Sequence, residues 1–173
     1  MTNKLKQFAI GVSTLSLWVL STPAFAQDFP TQKVLPLELS TQAAMAAIKK
    51  CHDDGFKVSV AIVDQSGLLK VQLKADGAGP HTLDSSRRKA YTANSLRDST
   101  HKYAVLVTQK PELQSLTRLN ENILLLGGGF PIKIGGEVVG GIGVGGAPGI
   151  EFDEVCASAA LKVLKADDMF EKK

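Results

Sequence analysis

The segment around which this chain is organised reads Gly79-Pro80-His81-Thr82-Leu83-Asp84-Ser85-Ser86-Arg87-Arg88-Lys89-Ala90-Tyr91-Thr92-Ala93. The glycine and the proline at its start interrupt any preceding regular element, and Thr82 is a favourable N-cap residue. Asp84 would lie in the first turn, where the helix dipole favours a negative charge. The segment therefore predicts a helix from Thr82 to about Arg97, with His81 at its mouth.

A histidine, three consecutive basic residues and a tyrosine fall within about three turns of that helix. They are His81, Arg87, Arg88, Lys89 and Tyr91. This grouping is a candidate ligand site. The same pattern also fits a solvated basic helix with an incidental histidine, because charge runs on helices are usually exposed faces.

The start of the chain has the pattern of a secretory signal. Lys4 and Lys6 precede an apolar segment over 8–20, and small residues lead to a cleavage site after Ala26. The apolar segment is shorter than the roughly 20 residues that a membrane-spanning helix needs. We therefore expect residues 1–26 to be a cleaved signal peptide and the protein to be periplasmic or secreted, without a membrane span.

The remaining chain is expected to hold one domain with one core. A short lead over 27–38 precedes a domain over 39–166, and a polar tail over 167–173 follows. The full chain has 20 basic and 17 acidic residues, and loss of the two lysines in the signal leaves a net charge of +1. So balanced a charge gives no broad basic footprint, and we predict no nucleic-acid partner.

Two cysteines, Cys51 and Cys156, lie in predicted helices far apart in the sequence. Antiparallel packing of the first and last helices would bring the two cysteines close together. They could then form a disulfide, as exported proteins often do, or remain small buried apolar residues. Two isolated cysteines without CxxC spacing do not indicate a zinc site.

The rest of the pattern predicts helices packed on an antiparallel sheet. A helix capped by Ser40 ends near Gly55, and a hairpin joins strands over 58–64 and 68–74. Residues 103–107 fit either a short strand or a helical turn, and 111–118 fit a short helix. A second hairpin spans 130–144. The last helix has an apolar stripe formed by Phe152, Val155, Cys156, Ala159, Ala160 and Val163. This order predicts an α+β fold.

Eleven of the sixteen glycines lie between 127 and 149. Glycines so dense in strands usually mean that another backbone, a subunit or a flat ligand approaches closely. The motif GxGxxG over 141–146 is not expected to bind a dinucleotide, because no helix opens inside the glycines. The run His52-Asp53-Asp54 could offer metal ligands, but a solvated helix end is the simpler interpretation.

Three motifs in the same order as in a known family connect this sequence to it. They are the strand over 60–64 with Gly67, the block 79–82 leading into 86–93, and the glycine-rich stretch 127–132 continuing to Gly146. Over about residues 39–164 the chain resembles the GlcG/HbpS-like haem-binding family, which is related to the C-terminal domain of PduO-type proteins.

The resemblance implies a profilin-like sandwich, in which an antiparallel sheet of about five strands is flanked by helices. It also implies a homo-oligomer that binds haem or has an accessory role in haem or iron handling. On the chemistry of its residues, His81 is the best candidate for the axial ligand, with Tyr91 or a hydroxyl group as its substitute, and Arg87, Arg88 or Lys89 would neutralise the propionates. Two alternatives are a non-haem module that binds small carboxylates and a haem-degrading enzyme. The enzyme would need an open iron position and a reductant.

Overall fold

A computed structural model describes residues 29–168 of the chain. The predicted signal peptide over 1–26 and the last five residues of the predicted polar tail lie outside the described residues. The chain divides into two units, Met1–Thr31 and Gln32–Lys173. The second unit contains every helix and strand of the described part.

Four α-helices, one 3-10 helix and four strands form this unit within residues 29–168. In chain order they are α1 (Leu37–Asp53), β1 (Ser59–Asp64), β2 (Leu69–Lys74), α2 (His81–Leu96), α3 (Thr100–Gln109), the 3-10 helix (Pro111–Arg118), β3 (Gly129–Ile134), β4 (Glu137–Gly145) and α4 (Ile150–Val163). None of these helices is long and apolar enough to cross a membrane.

The four strands form one antiparallel sheet in the order β2-β1-β4-β3. The predicted α+β fold with hairpins is therefore confirmed. The described part of the chain gives the sheet four strands, one fewer than the resemblance implied. The stretch over 103–107, which fitted either a strand or a helical turn, lies inside α3.

Helices α1 and α4 pack together on one face of the sheet and enclose the main apolar core. Strand β1 and the residue before it supply Val58, Val60 and Ile62 to this core, and β4 supplies Ile142 and Val144. A disulfide between Cys51 and Cys156 joins the end of α1 to the first half of α4, with a Cα–Cα distance of 5.5 Å. The predicted proximity of the two cysteines is confirmed.

Helix α2 covers the opposite face of the central strands β1 and β4, and the glycines of β4 allow its backbone to approach closely. A Cβ atom added at Gly143 would lie 2.1 Å from the backbone oxygen of Ser86, and one added at Gly141 would lie 2.3 Å from that of Ala90. Both distances are far below van der Waals contact. The backbone whose approach the glycines were predicted to permit is therefore α2 of the same chain.

Two helices begin differently from the sequence prediction, because hydroxyl groups expected to cap them lie inside the helix. Ser40 is in the first turn of α1, and its hydroxyl donates to the carbonyl of Pro36. Thr82 is the second residue of α2, where its hydroxyl donates to the carbonyl of Gly79 and lies 2.7 Å from the Ser59 hydroxyl. Both hydroxyl groups therefore form hydrogen bonds inside the packed structure and do not cap the helix.

Candidate functional site

His81 is the first residue of α2 and is exposed. Its ring lies beside Gly79, because a Cβ atom added at Gly79 would come within 2.7 Å of the imidazole Cε1. Within residues 29–168 no group hydrogen-bonds to the imidazole. Both ring nitrogens are therefore open to solvent or to a ligand.

Arg87 and Arg88 bridge the first half of α2 to the segment that precedes β3. The Arg87 Nη1 donates to Asn122 Oδ1 at 2.7 Å, and the Arg88 Nη2 donates to the Ile123 carbonyl at 2.8 Å. Both guanidinium groups also lie close to the Asp84 carboxylate, at 3.1 and 3.5 Å. Each side chain is about a third exposed, at 34% and 30%, so one edge of this cationic pair faces solvent.

Tyr91 lies on another part of α2. Its half-buried ring packs against the β1–β2 turn, where a Cβ atom added at Gly67 would come within 3.0 Å of the ring. Tyr91 lies ten positions after His81 in the helix, which is a rise of about 15 Å. The two side chains therefore cannot bind the same iron atom. Tyr91 packs against the β1–β2 turn and is not a neighbour of His81.

Lys89 does not belong to the exposed basic cluster. Its ammonium group is buried, donates to the Val144 carbonyl at 2.9 Å and forms an ion pair with Asp153 at 2.8 Å. Burial outweighs the attraction of the ammonium group and raises the pKa of Asp153 above its ordinary value. The expectation that Lys89 neutralises a haem propionate is corrected, because the group is committed inside the protein.

Sequence reasoning missed the partners of this helix. Neither Asp153 nor Asn122 was identified from the sequence as a partner of α2. The position of Lys89 had a signal in the sequence, because Thr82, Ser86, Lys89 and Ala93 recur at helical spacing on the buried side of α2. Polar partners such as Asn122 had no such signal, because they come from an irregular segment.

A second histidine-bearing surface lies between the end of α1 and strand β2. It is an open cavity of about 680 Å³, lined by apolar and mostly basic side chains. Its lining consists of apolar residues, of basic residues and of one acidic residue: Met45, Ile48, Phe56, Leu73 and Ala75, then Lys49, His52, Lys57 and Lys74, then Asp76. The His52 side chain is 82% exposed, as expected for a solvated helix end, and Asp53 pairs with Lys49 at 2.6 Å. Residues 29–168 contain no group of three or more acidic, histidine or cysteine side chains that could hold a metal ion.

A family model described as "Haem degrading protein HbpS-like" matches residues 35–162. The chain belongs to the HbpS-like family. The match spans the whole sheet and the helices from α1 to the penultimate residue of α4, and it confirms the resemblance stated from the sequence motifs.

Relatives of the HbpS-like chain support this assignment in sequence and in structure. An uncharacterised 15.0 kDa protein of Citrobacter freundii, from the dhaT-dhaS intergenic region, is 32% identical over 73% of this chain and 89% of its own. A Streptomyces reticuli HbpS double mutant is 40% identical, with a TM-score of 0.74 over 83% of this chain and 95% of its own. The PduOC domain in its complex with haem is 25% identical, with a TM-score of 0.72 over 78% of this chain and 98% of its own.

Proposed function

We propose that this protein is an exported haem-binding protein with an accessory role in haem or iron handling. The observation that carries the proposal is the likeness to PduOC, which was crystallised as a complex with haem and is similar over 78% of this chain. Membership of the HbpS-like family supports the same conclusion.

The exposed side chains of α2 fit the chemistry of a haem group. The open imidazole of His81 is of the kind that ligates haem iron, and Arg87 and Arg88 present cations toward solvent. A haem propionate is a carboxylate, as is the Asp84 side chain. It can therefore take the place of Asp84 beside either guanidinium group, and the cation stays paired. Lys89 is left out of this proposed surface because it is buried, and Tyr91 because its ring packs against the β1–β2 turn.

The cleft beside His52 is the competing location on the same protein. It offers apolar side chains and lysine ammonium groups, which also suit a flat molecule with two carboxylates. We place the ligand at His81 because its imidazole stands on the same helix as two guanidinium groups with exposed edges. Matched substitutions of the two histidines distinguish the two locations.

Titration with hemin tests haem binding itself. We expect the purified protein to give a saturable shift of the Soret absorption band. A linear response that never saturates would contradict the proposal and would favour the non-haem module that binds small carboxylates.

The description of the family model favours a second candidate function, which is haem degradation. The two functions differ in the fate of the bound haem. With ascorbate as reductant and oxygen present, we expect a protein that only binds haem to lose the Soret band no faster than free hemin loses it. Faster loss of the band than in free hemin, with release of iron, would support degradation instead.

Export is supported by the signal-like pattern over 1–26 and by the disulfide between Cys51 and Cys156, since disulfides persist in oxidising compartments. Expression of the full chain in a Gram-negative host, followed by sequencing of the mature N-terminus, tests it. We expect a periplasmic product that begins at Gln27. An unprocessed cytoplasmic product would contradict export.

A further inference from the structure

Helix α4 has apolar residues on two sides, whereas its packing against α1 and the sheet accounts for only one of them. The inner side consists of Cys156, Ala157, Ala160 and Leu161, all buried. The outer side exposes Phe152, Val155 and Val163 by 39%, 46% and 36%. The stripe predicted from the sequence is therefore split by the structure, because some of its members face the core and the others face outward.

The outer residues form a continuous line, which we call the outer stripe: Phe152, Val155, Ala159 and Val163. Steps of three and four residues place them along one side of the helix over about 16 Å. The Phe152 ring also lies against Phe56, with 4.8 Å between the ring centroids, so the apolar surface continues beyond the helix. Contiguous exposed apolar residues are a feature of surfaces that contact other molecules.

The charges at the two ends of the outer stripe have opposite sign. Glu151 stands beside Phe152 at the start of α4, and Lys162 stands beside Val163 at its end. Both side chains are exposed, and neither has an ion-pair partner among residues 29–168. The stripe therefore presents an unpaired anion at one end and an unpaired cation at the other.

This arrangement is self-complementary. When two copies of α4 pack antiparallel about a two-fold axis, Val155 lies opposite Ala159 of the second copy and Phe152 lies opposite Val163. The same rotation brings Glu151 of each copy to Lys162 of the other, twice in one interface. A parallel pairing would instead place like charges together. Closed two-fold interfaces have this property, because the same patch is used by both subunits.

We propose that two copies of this chain associate through the outer stripe of α4, antiparallel about a two-fold axis. This surface replaces the glycine-rich hairpin as the structural basis for a homo-oligomer, since the glycines of β4 are already covered by α2. The inference is independent of haem binding.

Sedimentation velocity of the apoprotein at micromolar concentration tests the proposed interface. Val155→Glu introduces a charge into the middle of the outer stripe at an exposed position, so the fold is expected to persist and the mass to fall. Leu68→Glu is the matched control, because Leu68 is also exposed, at 67%, but lies outside α4. It is expected to keep the parent mass.

Charge reversal tests the antiparallel geometry separately, so that the proposal does not depend on one variant. Lys162→Glu is expected to weaken association on the order of tenfold, because it creates two like-charge contacts. Adding Glu151→Lys to the same chain restores opposite charges and is expected to restore association. A monomeric parent, an unchanged mass for Val155→Glu, equal dissociation by Leu68→Glu or failure of the double reversal would each overturn the proposal.

Discussion

Lys89 and Asp153 form an ion pair in the interior of the protein, with the Nζ atom 2.8 Å from Oδ2 and the two side chains only 2% and 5% exposed. The pair joins the middle of α2 to the first turn of α4, which lie on opposite faces of the sheet. Asp153 also accepts a hydrogen bond from the Ala147 amide, and Lys89 donates to the Val144 carbonyl. These contacts fix the end of β4 between the two helices.

Removal of one member of this pair is predicted to destabilise the protein strongly. Lys89→Met leaves the Asp153 carboxylate buried without its cation, and we expect a loss of about 3–5 kcal/mol in the free energy of unfolding. Combining it with Asp153→Leu removes both charges and is expected to recover most of that loss. Urea unfolding followed by circular dichroism measures both values, and a loss under about 1 kcal/mol for Lys89→Met would contradict the structural role.

The close packing of α2 on β4 makes Gly143 intolerant of any side chain. In Gly143→Ala the new methyl group would lie 2.1 Å from the Ser86 oxygen, and that oxygen belongs to a helix backbone that has no room to move. We expect a loss of about 3 kcal/mol or more, or no folded protein. Gly149→Ala is the control, since the three atoms nearest to its Cβ atom all belong to the flexible Glu151 side chain, and a thermal melt should show a loss under about 1 kcal/mol. Equal losses in the two variants would refute this account.

The disulfide closes a long loop, since Cys51 and Cys156 are 105 positions apart in the sequence. The chain-entropy model predicts that its reduction lowers the free energy of unfolding by about 5 kcal/mol. Unfolding in urea with and without dithiothreitol measures this difference. The variant with both cysteines replaced by serine should show the same stability with and without the reductant, and a large reductant effect there would contradict the assignment.

Asp167 connects the end of the described chain to the β3–β4 turn. Its carboxylate accepts hydrogen bonds from the amides of Gly136 and Gly135, which lower its pKa below the ordinary value. A lowered pKa in the folded state contributes stability above the unfolded value of 3.8, and that contribution is lost as the pH falls through the folded pKa. Asp167→Ala should therefore be less stable than the parent at about pH 6 and equal to it at about pH 2. A difference in urea midpoint that is the same at both pH values would contradict the role of the charge.

The sequence was sufficient for the order of strands and hairpins and for the proximity of Cys51 and Cys156, because these follow from local periodicity and from the packing of two amphipathic helices. The hydroxyl groups of Ser40 and Thr82 were misassigned as caps, since a hydroxyl that bonds a carbonyl of the preceding turn has the same sequence signature. The sequence did not decide between a strand and a helical turn over 103–107, a part of α3 that contains β-branched residues. The start of α3 at Ser99, whose hydroxyl accepts from the Lys102 amide, is a local signal that decides for a helix.

The candidate site was predicted less completely than the fold. The α2 residues were identified as a set, yet their distribution over different sides of the helix separates Lys89 from Arg87 and Arg88. Which side of a helix is buried depends on what covers it. Here the glycines of β4 determine which side of α2 is buried. Local periodicity could therefore indicate the buried side of α2, while the partners Asn122 and Asp153 required the tertiary structure.

Hemin titration of the parent protein, His81→Ala and His52→Ala, followed at the Soret band, tests the central claim most directly. Both histidines are exposed, so each variant should keep the thermal melt of the parent. We predict a saturable Soret shift in the parent, a shift altered and weakened on the order of tenfold or more in His81→Ala, and parent behaviour in His52→Ala. No saturable shift in the parent would contradict haem binding, and loss of binding in His52→Ala alone would contradict the assignment of His81 and place the ligand in the cleft between α1 and β2.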